Sequence, residues 1–170
     1  MIGFVKCLLI VLIFFALFSV VIQAQDKNKA DFEKSLKEAQ LGDSYAQDDV
    51  GIYYSENLRD NKTAVLWFKK SAAQGNVYGA CNLALHYAWG RGVAKNPVLS
   101  LKWAFISHSL DGLKCFPDDL LQFFKPTRKQ VRRSWALTDA FLLSHPELKN
   151  NFGQRPWFDQ KAKPKTITKN

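Results

Sequence analysis

Residues 75–93 read GNVYGACNLALHYAWGRGV, and residues 42–54 read GDSYAQDDVGIYY. The two stretches share a glycine and two tyrosines when they are aligned at an offset of 33 residues. Each is followed by a block that begins with tryptophan and ends with serine, at residues 67–71 and 103–107. Self-similarity at this period is typical of stacked helical hairpins, so the sequence predicts a repeat architecture.

The recurring residues share one helical face and mix small with large side chains. They are Ala46, Val50, Gly51 and Tyr54 in the first copy, and Gly79, Leu83, Ala84 and Tyr87 in the second. Small residues let a neighbouring helix approach closely, and the tyrosine fills the space beside it. The residues expected to cap helix starts are Asp43, Asp60, Asn76 and Asn96, and the glycines expected at helix ends are Gly42, Gly75 and Gly112.

A family resemblance rests on residues 75–93, followed by Asn96, Ser100, Trp103 and Ser107. This pattern resembles the Sel-one-like repeat, a relative of the tetratricopeptide repeat. The first copy is similar but lacks the Gly-x-Gly-Val turn between Tyr54 and Asp60. The resemblance covers about residues 32–112 and implies an all-α fold. The expected architecture is a short right-handed α-solenoid of antiparallel helix pairs with two repeats and a C-terminal capping helix.

The two ends of the chain differ from the middle. Residues 1–24 carry Lys6, a long uncharged apolar run and a small-residue boundary, so we expect a signal peptide that is cleaved after Ala24. An uncleaved membrane anchor is the alternative, because the run is close to the length needed for a span. The expected repeat domain with its cap covers residues 25–146, and residues 147–170 are expected to form a basic, largely disordered tail.

Positive charge is concentrated near the C-terminus. Residues 25–112 contain 11 Lys or Arg against 10 Asp or Glu, whereas residues 113–170 contain 12 against 5. The capping-box pattern of Thr127 and Gln130 predicts a helix that ends at His145. Its expected wet face carries Arg128, Lys129, Arg132 and Arg133, which we interpret as electrostatic steering residues. An exported protein seldom meets nucleic acid, so a solvated face, an acidic protein or a membrane surface explains the basic region better than nucleic acid does.

Two cysteines, Cys81 and Cys115, remain once the signal segment is removed. An even pair in an exported protein is reasonably interpreted as a disulfide, and an antiparallel hairpin would bring the two positions to the same end. Two inert buried thiols are the alternative. Shorter helices are also expected, over residues 31–41 and from about Asp118 within residues 116–124.

No arrangement of residues predicts catalysis, a cofactor or a metal site. The three histidines, His86, His108 and His145, have no second ligand at a spacing typical of zinc. Asp118 and Asp119 are interpreted as capping residues. The segment Gly90–Gly92 resembles a phosphate loop only superficially, because no strand precedes it.

A stripe of aromatic and polar residues lies beside the predicted packing face at helical spacing. Its members are Tyr45, Asp49 and Tyr53 in the first repeat and Tyr78, Asn82 and His86 in the second. Such a mixture suits a protein-binding surface, although the tyrosines could instead pack against neighbouring helices.

The resemblance implies an exported, non-enzymatic, protein-binding protein of the periplasm. Exported members of the family include immunity proteins that neutralise a toxic effector, and this role is the first hypothesis for the chain. The alternatives are an envelope scaffold or adaptor and, less favoured, an enzyme acting on the cell wall or on β-lactams. The last would need an activated serine or a paired acid and base in a cleft.

Overall fold

The computed structural model describes residues 28–111, 115 and 117–151, together with Phe18. These residues form α-helices and one 3-10 helix and contain no β-strand, in agreement with the predicted all-α class. The helices are α1 (described over residues 28–40), α2 (Ser44–Glu56), α3 (Asn61–Ala73), α4 (Val77–Trp89), α5 (Pro97–Asp111), α6 (Pro117–Phe124) and α7 (Arg128–Ser144), and the 3-10 helix is Pro146–Asn151.

Two helical hairpins form the centre of the protein. The first is α2 with α3, and the second is α4 with α5. Helix α3 also packs against α4, which joins the hairpins into one stack, and α7 covers the outer side of α5. This order of contacts confirms the predicted solenoid, with α7 as its C-terminal cap.

All four predicted helix starts are capped by the expected side chains. The Asp43 carboxylate accepts a hydrogen bond from the Ala46 amide at 2.7 Å, and the Asn76 side chain accepts from the amides of Tyr78 and Gly79. Asp60 and Asn96 accept in the same way from the amides of Thr63 and Leu99. These bonds satisfy N–H groups that have no partner within the helix, so they fix where each helix begins.

Gly51 and Gly79, which were predicted to allow close helix packing, do lie at contacts between neighbouring helices. A Cβ atom added to Gly51 would lie 2.5 Å from the nearest ring atom of Phe68, which shows how closely α3 approaches α2. A Cβ atom on Gly79 would likewise collide with the Ser71 side chain. The small residues of the repeat are therefore needed for the contacts of α3 with α2 and with α4.

The recurring serine at the end of each repeat closes its own hairpin. The Ser71 hydroxyl donates to the main-chain oxygen of Ser44 at 2.7 Å, and the Ser107 hydroxyl donates to that of Val77 at 2.8 Å. Both serines are fully buried. A buried hydroxyl needs a hydrogen-bond partner, and here the partner is the first residue of the preceding helix.

The C-terminal helices agree with the expected pattern, with two differences in extent. The Thr127–Gln130 capping box is present, and His145 is the C-cap of α7. Helix α6 begins at Pro117, one residue before the expected Asp118. The 3-10 helix carries packed structure past residue 146, where the domain was expected to end, because Leu148 packs beside the main core cluster.

A disulfide joins Cys81 in α4 to Cys115, which precedes α6, with their Cα atoms 5.4 Å apart. The predicted pairing is confirmed. Gly112, the expected signal peptide apart from Phe18, and residues 152–170 of the expected tail lie outside the described residues. No described helix is long and apolar enough to cross a membrane.

Candidate functional site

Three residues of the predicted stripe lie on the open surface of α2 and α4. Tyr45 is 63% exposed, Tyr78 is 41% exposed, and Asp49 is also exposed. The two tyrosine rings lie 6.2 Å apart, so equivalent positions of the two repeats form one patch. Their role in binding stays a prediction.

Tyr53 and Asn82 are only partly exposed because they contact neighbouring helices. The ring of Tyr53 stacks on Phe32 of α1, with centroids 4.0 Å apart. The Asn82 amide donates to the Asp48 carboxylate of α2 at 2.9 Å. Both residues therefore connect helices as well as border the open face.

His86 is buried, whereas the sequence placed it on an open face. Its side chain is 6% exposed, and its ring lies 4.9 Å from the ring of Phe68 on α3. Its Nδ1 lies 2.9 Å from the main-chain oxygen of Asn82, so Nδ1 donates and Nε2 carries the lone pair. Burial lowers the pKa of His86, and nearby Arg91 lowers it further, so the neutral form is favoured.

A cleft of about 750 Å³ opens beside His86. Polar side chains make up most of its lining, and apolar ones form a smaller part. The lining residues are Ile52, Ser55, Glu56, Asn57, Arg59, Asn61, Phe68, Asn82, Leu85, His86, Trp89 and Arg91. Because Asn82 and His86 belong to both sets, the cleft continues from the predicted stripe.

The turns of both hairpins form the rim of this cleft. Gly92 has a φ of +69°, and a Cβ atom there would collide with the main chain of Asn61. The α4–α5 turn therefore packs directly against the start of α3, which brings Arg91 to the cleft. Arg59 occupies the shorter α2–α3 turn with a φ of +57°, a left-handed conformation that costs about 1 kcal/mol for a residue with a Cβ atom.

Ser55 and His86 both line the cleft, but they do not form an activated pair. The Ser55 hydroxyl lies 2.8 Å from Asn61 Oδ1 and 3.5 Å from His86 Nε2. Its single proton is therefore directed to Asn61, because the shorter contact is the stronger hydrogen bond. Within residues 28–111, 115 and 117–151, no cluster of three or more His, Cys, Asp or Glu side chains could hold a metal ion.

The four predicted steering residues all lie on the exposed side of α7. These are Arg128, Lys129, Arg132 and Arg133. None of the four forms an ion pair within 4.0 Å with an acidic side chain among the described residues. Steering by this group stays a prediction.

The two arginines of the cleft were not predicted from the sequence. Arg91 stands between two glycines at a repeat turn, and this was the available signal, but the motif was considered only as a phosphate loop. Arg59 had no such signal, because its position depends on how the two hairpins pack.

Comparisons with known proteins support the fold. No protein-family model matches the sequence, and no curated protein matches it. Among solved structures, the chain is similar to a protective antigen present in uropathogenic Escherichia coli strains, which displays a Sel-one-like repeat fold. The sequences are 23% identical, the TM-score is 0.64, and the match covers 82% of this chain but 29% of the antigen. The predicted resemblance is confirmed at the level of the fold: this chain folds as Sel-one-like repeats.

Proposed function

We propose that this chain is an exported, non-enzymatic repeat protein that binds a protein partner through the open face of α2 and α4. The observation that carries the proposal is the continuity of that face. The Tyr45–Tyr78 patch leads through Asn82 into the cleft. Aromatic residues beside a concave polar surface are typical of protein-binding sites, since their large side chains supply contact area at low entropic cost.

The partner that we propose is a secreted effector toxin, which makes the chain an immunity or inhibitor protein of the periplasm. The apolar segment at residues 1–24 supports export, and the Cys81–Cys115 disulfide fits an oxidising compartment. A small domain with an exposed binding face suits an inhibitor that occludes its target.

Affinity capture from envelope extract tests the binding face. Tyr45→Ala and Tyr78→Ala should each reduce recovery of the partner, because truncation removes exposed aromatic contact area. Leu66→Ala is the matched control, since Leu66 is similarly exposed but lies on α3. Equal recovery by all variants would show that the partner binds elsewhere.

The immunity role has its own test. The captured protein is directed to the periplasm of a host with and without this chain. Growth arrest that this chain relieves supports an immunity protein. A captured protein without toxicity would point instead to the scaffold alternative.

A further inference from the structure

The α2–α3 turn and the α4–α5 turn each supply one arginine to the same cleft. Arg59 comes from the first turn and Arg91 from the second, and both line the 750 Å³ volume. In the described part of the chain neither forms an ion pair within 4.0 Å. Two unpaired guanidinium groups beside one concave surface attract a negatively charged group.

The other side chains of the cleft compensate only one of these two positive charges. Glu56 is the one acidic residue among the lining residues, and the neutral form of His86 adds no charge. The lining therefore carries a net charge of about +1 at neutral pH. A ligand that brings one or more carboxylates would complement it.

The cleft also has an apolar part, which favours a peptide over an inorganic anion as the ligand. Ile52 and Leu85 contribute to the lining, and the Arg91 guanidinium lies 5.1 Å from the ring centroid of Trp89. A volume of this size lies within the range of clefts that take drug-sized ligands, so it has room for a few side chains of a bound segment. An inorganic anion would use the arginines but leave the apolar wall uncovered.

We propose that this cleft binds an acidic segment of the protein partner, with a Glu or Asp side chain at Arg59 and Arg91 and an adjacent apolar side chain against Trp89 and Leu85. This inference rests on the proposed protein-binding function and adds the chemistry of the segment that is recognised.

The test is a titration of the purified exported protein followed by NMR at the indole N–H of Trp89. The first probe is the peptide Ac-Ala-Leu-Glu-Leu-Ala-NH₂, and the second has Gln in place of Glu. The Glu peptide should shift the Trp89 signal, and the Gln peptide should bind at least about tenfold more weakly, because it lacks the charge. Equal binding of the two peptides would overturn the proposal, as would no shift with either.

Charge-neutralising variants locate the effect. Arg59→Gln and Arg91→Gln should each weaken binding of the Glu peptide by about tenfold, whereas Lys37→Gln, which removes the same charge from an exposed position of α1, should change binding by less than about twofold. Thermal unfolding of each variant checks that it is folded. Arg91 is exposed and does not have a positive φ, so Arg91→Gln should not disturb the fold. Equal losses for all three variants would reduce the effect to net charge and overturn the proposal.

Inorganic phosphate is the third probe. If it shifts the same signal at lower concentration than the Glu peptide, the cleft is a general anion site and the proposal is wrong. The two proposals fail separately. Partner capture that survives Arg59→Gln and Arg91→Gln but not Tyr45→Ala would leave the binding face in place and remove only the role of the cleft.

Discussion

Burial changes the pKa of a single carboxylic acid, Asp48. It is buried on α2, and desolvation raises its pKa to about 6, while the hydrogen bond from Asn82 opposes the shift and the charge of Asp49 adds to it. The charged form is therefore costly in the folded protein. The bond to α4 is retained because it satisfies a buried oxygen.

Asp48→Asn should stabilise the protein at pH 7 by on the order of 3 kcal/mol, because the pKa of Asp48 is raised from 3.8 to about 6. A raised folded pKa gives stability that is complete below pH 3.8 and is lost as the pH rises through about 6, so the variant should lack this decline. Urea unfolding at several values between pH 4 and pH 7 measures it.

His86 acts in the opposite direction over part of this range. Its lowered pKa makes stability fall as the pH drops below 6.5, so only the difference between wild type and variant isolates Asp48. Asp31→Asn, at an exposed position of α1, is the control. Parallel pH curves for wild type and Asp48→Asn would contradict the prediction.

Pairs of helices are held at a separation that depends on glycine at single positions. The α2–α3 contact places the Phe68 ring directly over Gly51. The sequence could predict a close helix contact at Gly51, since a small residue recurs at the equivalent position of the second repeat, Ala84. It could not predict that His86 would be buried or that Arg59 and Arg91 would share a cleft, because both depend on how α3 and the α4–α5 turn approach each other across the stack.

Gly51→Ala should destabilise the protein by about 1 to 3 kcal/mol, because the added methyl group overpacks the Phe68 ring. On an exposed helix the same substitution would stabilise the protein by up to about 1 kcal/mol. The sign of the change in unfolding free energy therefore shows whether Gly51 is tightly packed. Chemical unfolding measures it. Phe68→Leu in the same chain should make the glycine substitution less harmful, and a stabilising Gly51→Ala would show that the helices are not in tight contact.

The whole molecule is a stack of helical hairpins whose C-terminal side is stabilised by a disulfide and by an aromatic contact. The Cys81–Cys115 bond fastens α4 to the segment before α6, and the Phe105–Trp135 stack joins α5 to α7. Composition and cysteine count predicted the bond, since only two cysteines follow residue 24. The ordered 3-10 helix was not predicted, because its contact through Leu148 is made with residues distant in sequence.

Cys115→Ser should lower the free energy of unfolding by about 3 to 4 kcal/mol, since the bond closes a loop with a sequence separation of 34. Denaturant titration without reductant compares the variant with wild type. Addition of reductant should lower the wild type to a similar level and leave the variant unchanged. Free thiols at both positions in freshly exported wild type would contradict the prediction.

Export should remove residues 1–24, so N-terminal sequencing of the secreted protein should begin at Gln25. The basis is the apolar run that ends before Gln23 and Ala24. Recovery of the intact chain in membranes alone would instead support an uncleaved anchor. Ala24→Leu, which enlarges the residue before the cut, should block processing.

The buried serine of each hairpin has an evolutionary consequence. Ser71 and Ser107 each fasten the end of a hairpin to that hairpin's own first residue, so the bond needs nothing from the neighbouring unit. Duplication of such a segment would copy a hairpin together with the hydrogen bond that closes it. An array of these modules can lengthen by whole units, provided that helices with a polar outer face still cover its two ends.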